Sequence, residues 1–277
     1  MLKIVTLNLL NDLRYWDERS PLILAVLRRL SPDVIALQEV SAPHNNAAWL
    51  AHQLQGYTIL LAPKNRHHAR IEGLAILTRL PVEEHSILPL AGQSRIAQRA
   101  ILRLGSIRWI VINTHLFWSP FDDPVRIRQA QRLVDWVPNE LPAVICGDFN
   151  ALPHYRAIHL LKKRFRSAYQ VVHGREPDYT FPTLLKRGPG MRHMARNTTL
   201  RLIGKAASSA GPTWRATLDF IFISQGVRVM DCRVEFDQPS QDDPQIYPSD
   251  HLGLFAMLDY IISPGREIPE YLLPPHP

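Results

Sequence analysis

The stretch Ala143-Val-Ile-Cys-Gly-Asp-Phe-Asn150 carries an apolar run directly into two polar side chains, and the fold can be worked out from it. Residues 144–146 are typical of a buried strand. Asp148 and Asn150 follow where that strand ends, which is where α/β proteins commonly build their sites. The sequence therefore predicts a buried strand with a polar site at its carboxyl end.

The same arrangement recurs along the chain. Polar residues lie at or beside the ends of other apolar runs: Asn8 after residues 4–7, Glu39 after 34–38, His115 after 110–114, and Asp250 and His251 before 252–258. Asp219 lies inside the apolar run 218–223, where a buried acid needs a partner. Strand ends that point the same way converge on one rim of a sheet, so we expect these side chains to meet there.

The regions between these motifs alternate between strand and helix patterns. Ser20-Pro21 reads as a helix start, with Ser20 as the N-cap and Pro21 in the first turn. The runs 73–77, 82–90, 97–104 and 107–114 read as an antiparallel set of strands joined by short turns. Strands of this kind with helices outside them predict a layered α/β domain.

Six short motifs, in this order, resemble those of the endonuclease/exonuclease/phosphatase superfamily. They are TLNLL (6–10), LQEV (37–40), NTHL (113–116), GDFNA (147–151), TLDFIF (217–222) and SDHLGL (249–254). The resemblance implies a four-layer α/β sandwich, in which two mixed, mostly antiparallel β-sheets pack face to face with helices outside. It also implies an Mg²⁺-dependent (or Mn²⁺-dependent) hydrolase that acts on phosphoester bonds.

For the metal, the resemblance implies that Glu39 is the main ligand, that Asn8 supports the same shell, and that Asp250 lies near the ion. Carboxylate and amide oxygens are the hard ligands that Mg²⁺ prefers. Paired His or Cys residues at short spacing, which a zinc enzyme built on the two histidines would show, are absent from the sequence.

For catalysis, the resemblance implies that Asp148 orients or deprotonates the attacking water and that Asn150 holds that water or the phosphate. His251 and His115 would donate to the phosphate, and Asp219 would pair with His251. A neighbouring carboxylate fixes the tautomer of a histidine and favours its charged form.

The net charge of +7 is concentrated in residues 156–205, which contain twelve Lys or Arg and two acids. A local basic segment favours an anionic partner, and nucleic acid is the substrate we expect. The family's short path from Thr180-Phe181-Pro182 to the TLDFIF motif is interrupted here by a basic insertion at about 184–213. We expect four of its residues to bind substrate: Lys186, Arg187, Arg192 and Arg196.

The remaining expectations concern organisation and location. We expect one catalytic domain over residues 1–262 and a Pro-rich tail over 263–277. No signal-peptide pattern and no membrane-spanning run is seen, so we expect a cytoplasmic protein, and we infer no obligate protein partner.

The sequence leaves other substrates, one non-catalytic function and the branch of the family open. The substrate could be an inositol phosphate or a phospholipid head group instead of nucleic acid. The chain could also be a non-catalytic nucleic-acid-binding module, although none of the expected catalytic residues is missing. Arg128 and Gln131, which follow NTHL on one predicted helix, are similar to a pattern of the deadenylase, sphingomyelinase and tyrosyl–DNA phosphodiesterase branches.

Overall fold

Alternating apolar runs form most of the elements of this protein. The computed structural model describes residues 1–64, 72–185 and 215–260. Its strands are β1 (Leu2–Asn8), β2 (Val34–Ser41), β3 (Thr58–Pro63), β4 (Glu72–Thr78), β5 (Val82–Pro89), β6 (Ile96–Leu104), β7 (Ile107–His115), β8 (Ala143–Asp148), β9 (Arg166–Ser167), β10 (Asp219–Ile223), β11 (Val227–Glu235) and β12 (Gly253–Tyr260). Its helices are α1 (Trp16–Leu30), α2 (Asn46–Leu54), α3 (Pro124–Asp135), α4 (Arg156–Lys162) and α5 (Ala168–His173).

The strands form two six-stranded sheets, ordered β11-β12-β1-β2-β4-β3 and β5-β6-β7-β8-β10-β9. The β1–β2 and β7–β8 pairs are parallel, and the other strand pairs are antiparallel. Helices α1 and α2 cover the outer face of the first sheet, and α3 and α4 cover that of the second. The predicted sandwich of two mixed sheets with helices outside is therefore confirmed.

Side-chain alternation along each strand assigns the two faces of a sheet to different cores. On β1, Ile4 packs into the core between the sheets, whereas its neighbour Val5 packs under the helices. On β8, Val144 faces the inter-sheet core and Ile145 faces α3 and α4. Each such fully buried aliphatic side chain contributes about 1.5–3 kcal/mol, so register slips in either sheet are strongly disfavoured.

A buried amide network joins the two sheets just below the ends of β1 and β7. The Gln38 amide donates to Asn113 Oδ1 at 2.7 Å and to Thr6 Oγ1 at 3.0 Å. The Asn113 amide in turn donates to the backbone carbonyls of Leu37 and Ala75, at 2.9 and 3.0 Å. Since unpaired buried amides are costly, this network fixes the height at which one sheet meets the other.

Two sequence-based predictions about elements are wrong. Helix α1 begins at Trp16 rather than Ser20, and Pro21 lies inside it. The reason is tertiary: Arg19 is buried and donates to the carbonyls of Leu9, Asp12 and Pro248, which holds the upstream turn in helical conformation.

The second error concerns the predicted antiparallel set of four strands. Three of them, β5, β6 and β7, do pair in sequence order. The first, β4, belongs to the other sheet and pairs with β2 and β3. The sequence of β4 is compatible with a strand in either sheet. The sequence pattern therefore does not identify the strands with which β4 pairs.

The division into a domain of residues 1–262 with an insertion at 184–213 and a tail at 263–277 stays a prediction. Most of the insertion and the whole tail lie outside the described residues. Among the helices that are described, none combines the length and the apolarity that crossing a bilayer requires.

Gly147 sits where β7 and β8 run closest together. Its φ is +136°, and an added Cβ would lie 2.0 Å from the carbonyl oxygen of Thr114. A side chain at this position would therefore push apart the two parallel strands that end in His115 and Asp148.

Gly147→Ala is accordingly expected to cost more than about 2 kcal/mol of unfolding free energy, because backbone strain and steric overlap add. Gly105→Ala is the matched control: its φ is +60° but no atom lies within 4 Å of the added Cβ. Urea denaturation of the two variants measures the difference. Equal losses would mean that strand proximity at Gly147 is not the constraint.

Candidate active site

The carboxyl ends of β7 and β8 and the start of β10 place three side chains in one row. His115 pairs in register with Asp148 across β7–β8, and Asp148 pairs with Asp219 across β8–β10. All three are buried. Asn8, at the end of β1 in the opposite sheet, reaches across and donates to Asp148 Oδ2 at 3.2 Å. The rim predicted from the strand ends thus draws on both sheets.

Asp148 lies at the centre of this rim. Its Oδ1 accepts the backbone N–H of Asn150 at 2.8 Å. Its Oδ2 lies 3.3 Å from Nε2 of His115 and 3.9 Å from Nε2 of His251, in addition to the bond from Asn8. One carboxylate oxygen therefore faces two imidazoles and an amide in a site closed to bulk water.

His251 is paired with Asp219, as predicted. Its Nδ1 lies 2.9 Å from Asp219 Oδ2, and its ring lies 4.8 Å from that of Phe181, centroid to centroid. Burial alone lowers the pKa of His251, but the charges of Asp219, Asp148 and Asp250 and the hydrogen bond to Asp219 outweigh it and raise the pKa to about 10. The ring is therefore an imidazolium at neutral pH, with Nε2–H directed away from Asp219.

His115 has the opposite charge state. Burial, followed by the positive charges of Arg95, Lys64 and His251, lowers its pKa well below the usual value. Its ring is neutral at pH 7, and its Nδ1 has no hydrogen-bond partner among the described residues. The site thus holds one charged and one uncharged imidazole on either side of Asp148.

Asp148 itself has the pKa of a base that works at neutral pH. Burial and the charge of Asp219 raise the pKa to about 7, whereas His251, the Asn150 N–H and Arg95 act to lower it. A group whose pKa lies near the working pH is best suited to general acid–base catalysis. Asn150, at φ +47°, turns its amide to the carbonyl of Leu116 at 3.2 Å, beside Asp148.

Glu39 and Asn8 form the oxygen-rich side of the site. The Asn8 amide donates to Glu39 Oε1 at 3.3 Å, and the backbone N–H of Asn11 donates to Oε2 at 2.8 Å. Glu39 lies within the β-bulge of β2, between Leu37 and Val40, and has φ +53°, a conformation uncommon for a residue with a side chain. Within residues 1–64, 72–185 and 215–260, no lysine or arginine forms an ion pair with it. A partly exposed carboxylate without a counter-ion among the described residues fits a hard divalent cation.

Asp148, Asp219 and His251 form a second cluster that could be considered for a metal, because their ligand atoms all lie within 4.8 Å of one another. The charge state argues against that assignment. An imidazolium donates N–H bonds and offers no lone pair, and the Nδ1 of His251 is already committed to Asp219. The cluster is therefore suited to proton handling rather than to holding a cation.

Asp250, the third expected metal residue, is partly buried. Its charge acts on His251 and on buried Arg19, and its backbone carbonyl accepts from Thr183 at 2.9 Å. The preceding Ser249 donates to the backbone carbonyl of Asn8 at 2.6 Å and accepts from the His251 N–H at 3.2 Å. Ser249, which sequence reasoning passed over although it lies in the SDHLGL motif, thus ties that motif to the end of β1.

Helix α3 follows His115 in the chain and holds the intervening loop through two buried polar residues. Arg128 and Gln131 point to solvent, whereas Arg126 and Gln129 are buried. Arg126 donates to the carbonyls of Phe117, Ser119 and Phe121, and Gln129 binds the N–H of Phe117 and the carbonyl of Ala91. The buried pair Arg126 and Gln129 thus holds the loop that leaves His115.

The four expected substrate-binding residues, Lys186, Arg187, Arg192 and Arg196, lie outside the described residues. In the described part of the basic segment, several charges are already engaged. Arg156 pairs with Asp122 at 2.7 Å and Lys162 with Glu176 at 2.6 Å, while Arg164 donates to two backbone carbonyls. These three charges in the described part of the segment are therefore not free to meet an extended ligand.

Three buried cations near the site were not predicted from the sequence: Arg19, Lys64 and Arg95. They stand in no motif, and their burial depends on contacts between segments far apart in the chain. Lys64 is paired with Glu72, and burial lowers its pKa to about 7, as does the charge of Arg95, while Glu39 raises it. No local sequence signal distinguishes these residues from the chain's many surface cations.

Comparison with known proteins gives both a family and a set of similar folds. Among curated proteins, the chain is 26% identical to Protein angel of Drosophila melanogaster over 167 residues, which is 53% of this chain and 47% of that one. It is 25% identical over 199 residues to a CCR4-Not complex 3′-5′-exoribonuclease subunit Ccr4 of Mycosarcoma maydis, covering 50% of this chain and 30% of the relative. The match thus spans less than half the length of each relative.

Among solved structures, a TDP2 of D. rerio complexed with single-strand DNA product superposes with a TM-score of 0.74 at 16% identity. The superposition covers 93% of this chain and 98% of that one, and at such low identity it speaks for the fold alone.

The model of the Endonuclease/Exonuclease/phosphatase family matches residues 5–251, a range that contains every residue of the rim from Asn8 to His251. The motifs, the two-sheet sandwich and this match agree with one another, and the chain belongs to the endonuclease/exonuclease/phosphatase family.

Proposed function

We propose that this chain is a divalent-metal-dependent phosphodiesterase that hydrolyses nucleic acid by in-line attack of water on phosphorus. The observation that supports it best is the buried Asp148 carboxylate, which stands between a charged and a neutral imidazole and accepts from the Asn8 side-chain amide and the Asn150 backbone N–H. This arrangement supplies a base and hydrogen-bond donors in one closed site.

Asp148 receives the proton of the attacking water, since its pKa of about 7 leaves a substantial fraction of it ionised at neutral pH. Its Oδ1 is oriented by the Asn150 N–H, so Oδ2 faces the water. Asn150 holds the water or the phosphate from the other side. The base is thereby kept in one orientation before the substrate arrives, which lowers the reorganisation needed in the reaction.

His251 supplies the fixed positive charge. With Nδ1–H donated to Asp219, its Nε2–H is free to donate to a phosphoryl oxygen as negative charge develops there. His115, which is uncharged, offers a second N–H beside the same oxygen without adding repulsion toward the first. Each such donor is worth about 10²–10³ in rate in comparable sites.

Glu39 and Asn8 would hold Mg²⁺ or Mn²⁺, with Asp250 close by. A bound divalent cation would polarise a phosphoryl oxygen and offset the charge of the phosphodiester. In this assignment the carboxylate of Glu39 is kept for the cation because the nearby Arg19 is engaged by backbone carbonyls instead.

Nucleic acid is favoured over inositol phosphates and phospholipid head groups by two observations. The matched relative from Mycosarcoma maydis is named a 3′-5′-exoribonuclease. The chain also has a net charge of +7, and its basic residues cluster between the GDFNA and TLDFIF motifs, both of which end at the catalytic rim. A long anionic substrate would pass close to that segment.

Lys186, Arg187, Arg192 and Arg196 are proposed to bind the backbone of such a substrate. Changing all four to Ala should weaken polynucleotide binding and make it less dependent on salt, because each lost phosphate contact removes about one unit of counterion release. A filter-binding salt titration measures this. The control changes Arg103 and Arg108, which pair with Glu83 at the end of β7 remote from His115. Identical salt slopes in both variants would rule out the contact.

The function itself is tested with a substrate panel in Mg²⁺: single- and double-stranded DNA, RNA, 5′-tyrosyl DNA, sphingomyelin and inositol phosphates. We expect cleavage of a polynucleotide, its loss in EDTA, and recovery with Mg²⁺ or Mn²⁺. Asp148→Asn should reduce turnover by about 10²–10⁴ because the base is lost. Asp135→Asn, an exposed acid on α3, is the control.

Circular dichroism confirms that Asp148→Asn is folded before its rate is interpreted. Cleavage that persists in EDTA would contradict the metal requirement, and full activity in folded Asp148→Asn would contradict the assigned base. Turnover only of sphingomyelin or an inositol phosphate would replace the proposed substrate while keeping the chemistry.

A further inference from the structure

Arg95 is a buried guanidinium whose hydrogen-bonding capacity is largely unused. Its exposed fraction is 7%, and its Nε and Nη1 have no hydrogen-bond partner among the described residues. Its Nη2 reaches only Gln93 Oε1, at the long distance of 3.5 Å. No carboxylate of the described chain lies within ion-pair distance of it. The group is therefore buried with its charge uncompensated.

The other fully buried arginines show how unusual this is. Arg19 donates to three backbone carbonyls, and Arg126 donates to three more. Both are structural clamps for loops. The Arg95 guanidinium donates to no backbone carbonyl in the described part of the chain, although burying an unpaired charge costs several kcal/mol. A clamp role does not account for it.

The position of Arg95 points to the catalytic rim. Its backbone is fixed just before β6, with its N–H bonded to Gly92 at 3.1 Å and its carbonyl to the Leu90 N–H at 2.8 Å. Its charge acts on Asp148, on Glu39 and on His115. Ala97, two residues further along, pairs with Thr114 next to His115, so Arg95 lies at the rim end of β6. Its guanidinium forms no ion pair with Asp148 or Glu39.

Lys64 stands on the same side. Lys64 is 8% exposed, and its charge acts on both Arg95 and His115. Its ion-pair partner is Glu72, and Glu72 forms no ion pair with the Arg95 guanidinium. The charges of Arg95 and Lys64 repel each other, and an anion bound between them and the rim would offset that repulsion.

We infer that Arg95, supported by Lys64, binds the non-bridging oxygens of the phosphoryl group that undergoes hydrolysis. A guanidinium presents parallel N–H groups that match two oxygens of a phosphoryl group. In Arg95, Nη2, whose contact with Gln93 is long, can form such a pair with Nε or with Nη1, and both of these lack a partner among the described residues. This assignment rests on the proposed function for the identity of the substrate, but the anion site itself does not require turnover.

Arg95→Met separates the ligand role from a structural one. Without ligand, the variant should unfold at a higher temperature than the wild type, because a buried uncompensated charge has been replaced by an apolar chain of similar length. Inorganic phosphate, in EDTA, should stabilise the wild type, and its dissociation constant should rise by about 10- to 100-fold in Arg95→Met. Arg95→Lys should lie between them, since it keeps the charge and loses the paired donors.

Arg103→Met is the matched control: Arg103 lies near the end of β6, whereas Arg95 lies just before its start, and Arg103 pairs with Glu83 at the surface. It should bind phosphate like the wild type. The inference is overturned if Arg95→Met loses stability while its affinity for phosphate is unchanged, or if phosphate does not stabilise the wild type at all.

Activity measurements keep this result distinct from the proposed function. Loss of turnover in Arg95→Met on both a polynucleotide and bis-p-nitrophenyl phosphate supports binding of the reacting phosphoryl group. Loss on the polynucleotide alone would overturn that assignment in favour of a neighbouring phosphate. A wild type that binds phosphate through Arg95 but cleaves nothing would refute the proposed function and leave the anion site standing.

Discussion

The buried carboxylate of Asp148 is the constraint on which the rest of the site depends. It stands at the end of a central strand, and its two oxygens are reached by Asn8 from the opposite sheet, by the Asn150 N–H from its own loop and by two histidines. These contacts exist only if the sheets meet at one particular height. The Gln38–Asn113 hydrogen bond, at 2.7 Å between the sheets, sets that height directly beneath the rim.

The charges follow from this placement. Asp219 lies beside Asp148 in register, so two buried acids would repel each other unless a cation stood between them. His251 is that cation, bonded to one acid and facing the other. The charge of Asp219, which together with burial raises the pKa of Asp148, also keeps His251 protonated against the opposing effect of burial. His115 is uncharged because burial, followed by the charges of Arg95, Lys64 and His251, lowers its pKa. The two histidines of the site therefore differ in charge because their neighbours differ.

The sequence predicts this site better than it predicts the elements that hold it. Asp148, Asn150, His115 and Asn8 are predictable because each follows an apolar strand, and strand ends meet at a rim. Asp219 is predictable because an acid inside an apolar strand needs a partner, which His251 provides. These are local patterns that carry their own physical reason.

Other features depend on contacts between distant segments, and local patterns do not encode them. The start of α1 was misplaced because buried Arg19 extends the helix toward the site. The pairing of β4 was misassigned because alternation does not identify a partner strand. The buried state of Arg95 and Lys64 was missed for the same reason: a cation in the sequence looks like a surface residue until the packing around it is known.

The most direct test of the account is the pKa of His251, measured by NMR titration of its imidazole in the metal-free protein. In the wild type we expect a pKa of about 10, which means a protonated ring at neutral pH. Asp219→Asn should lower it by about 1–3 because the main opposite charge is removed, with a smaller decrease in Asp250→Asn. A wild-type pKa below about 6.5, the ordinary value for histidine, would contradict the proposed charge arrangement of the site, as would no change in Asp219→Asn.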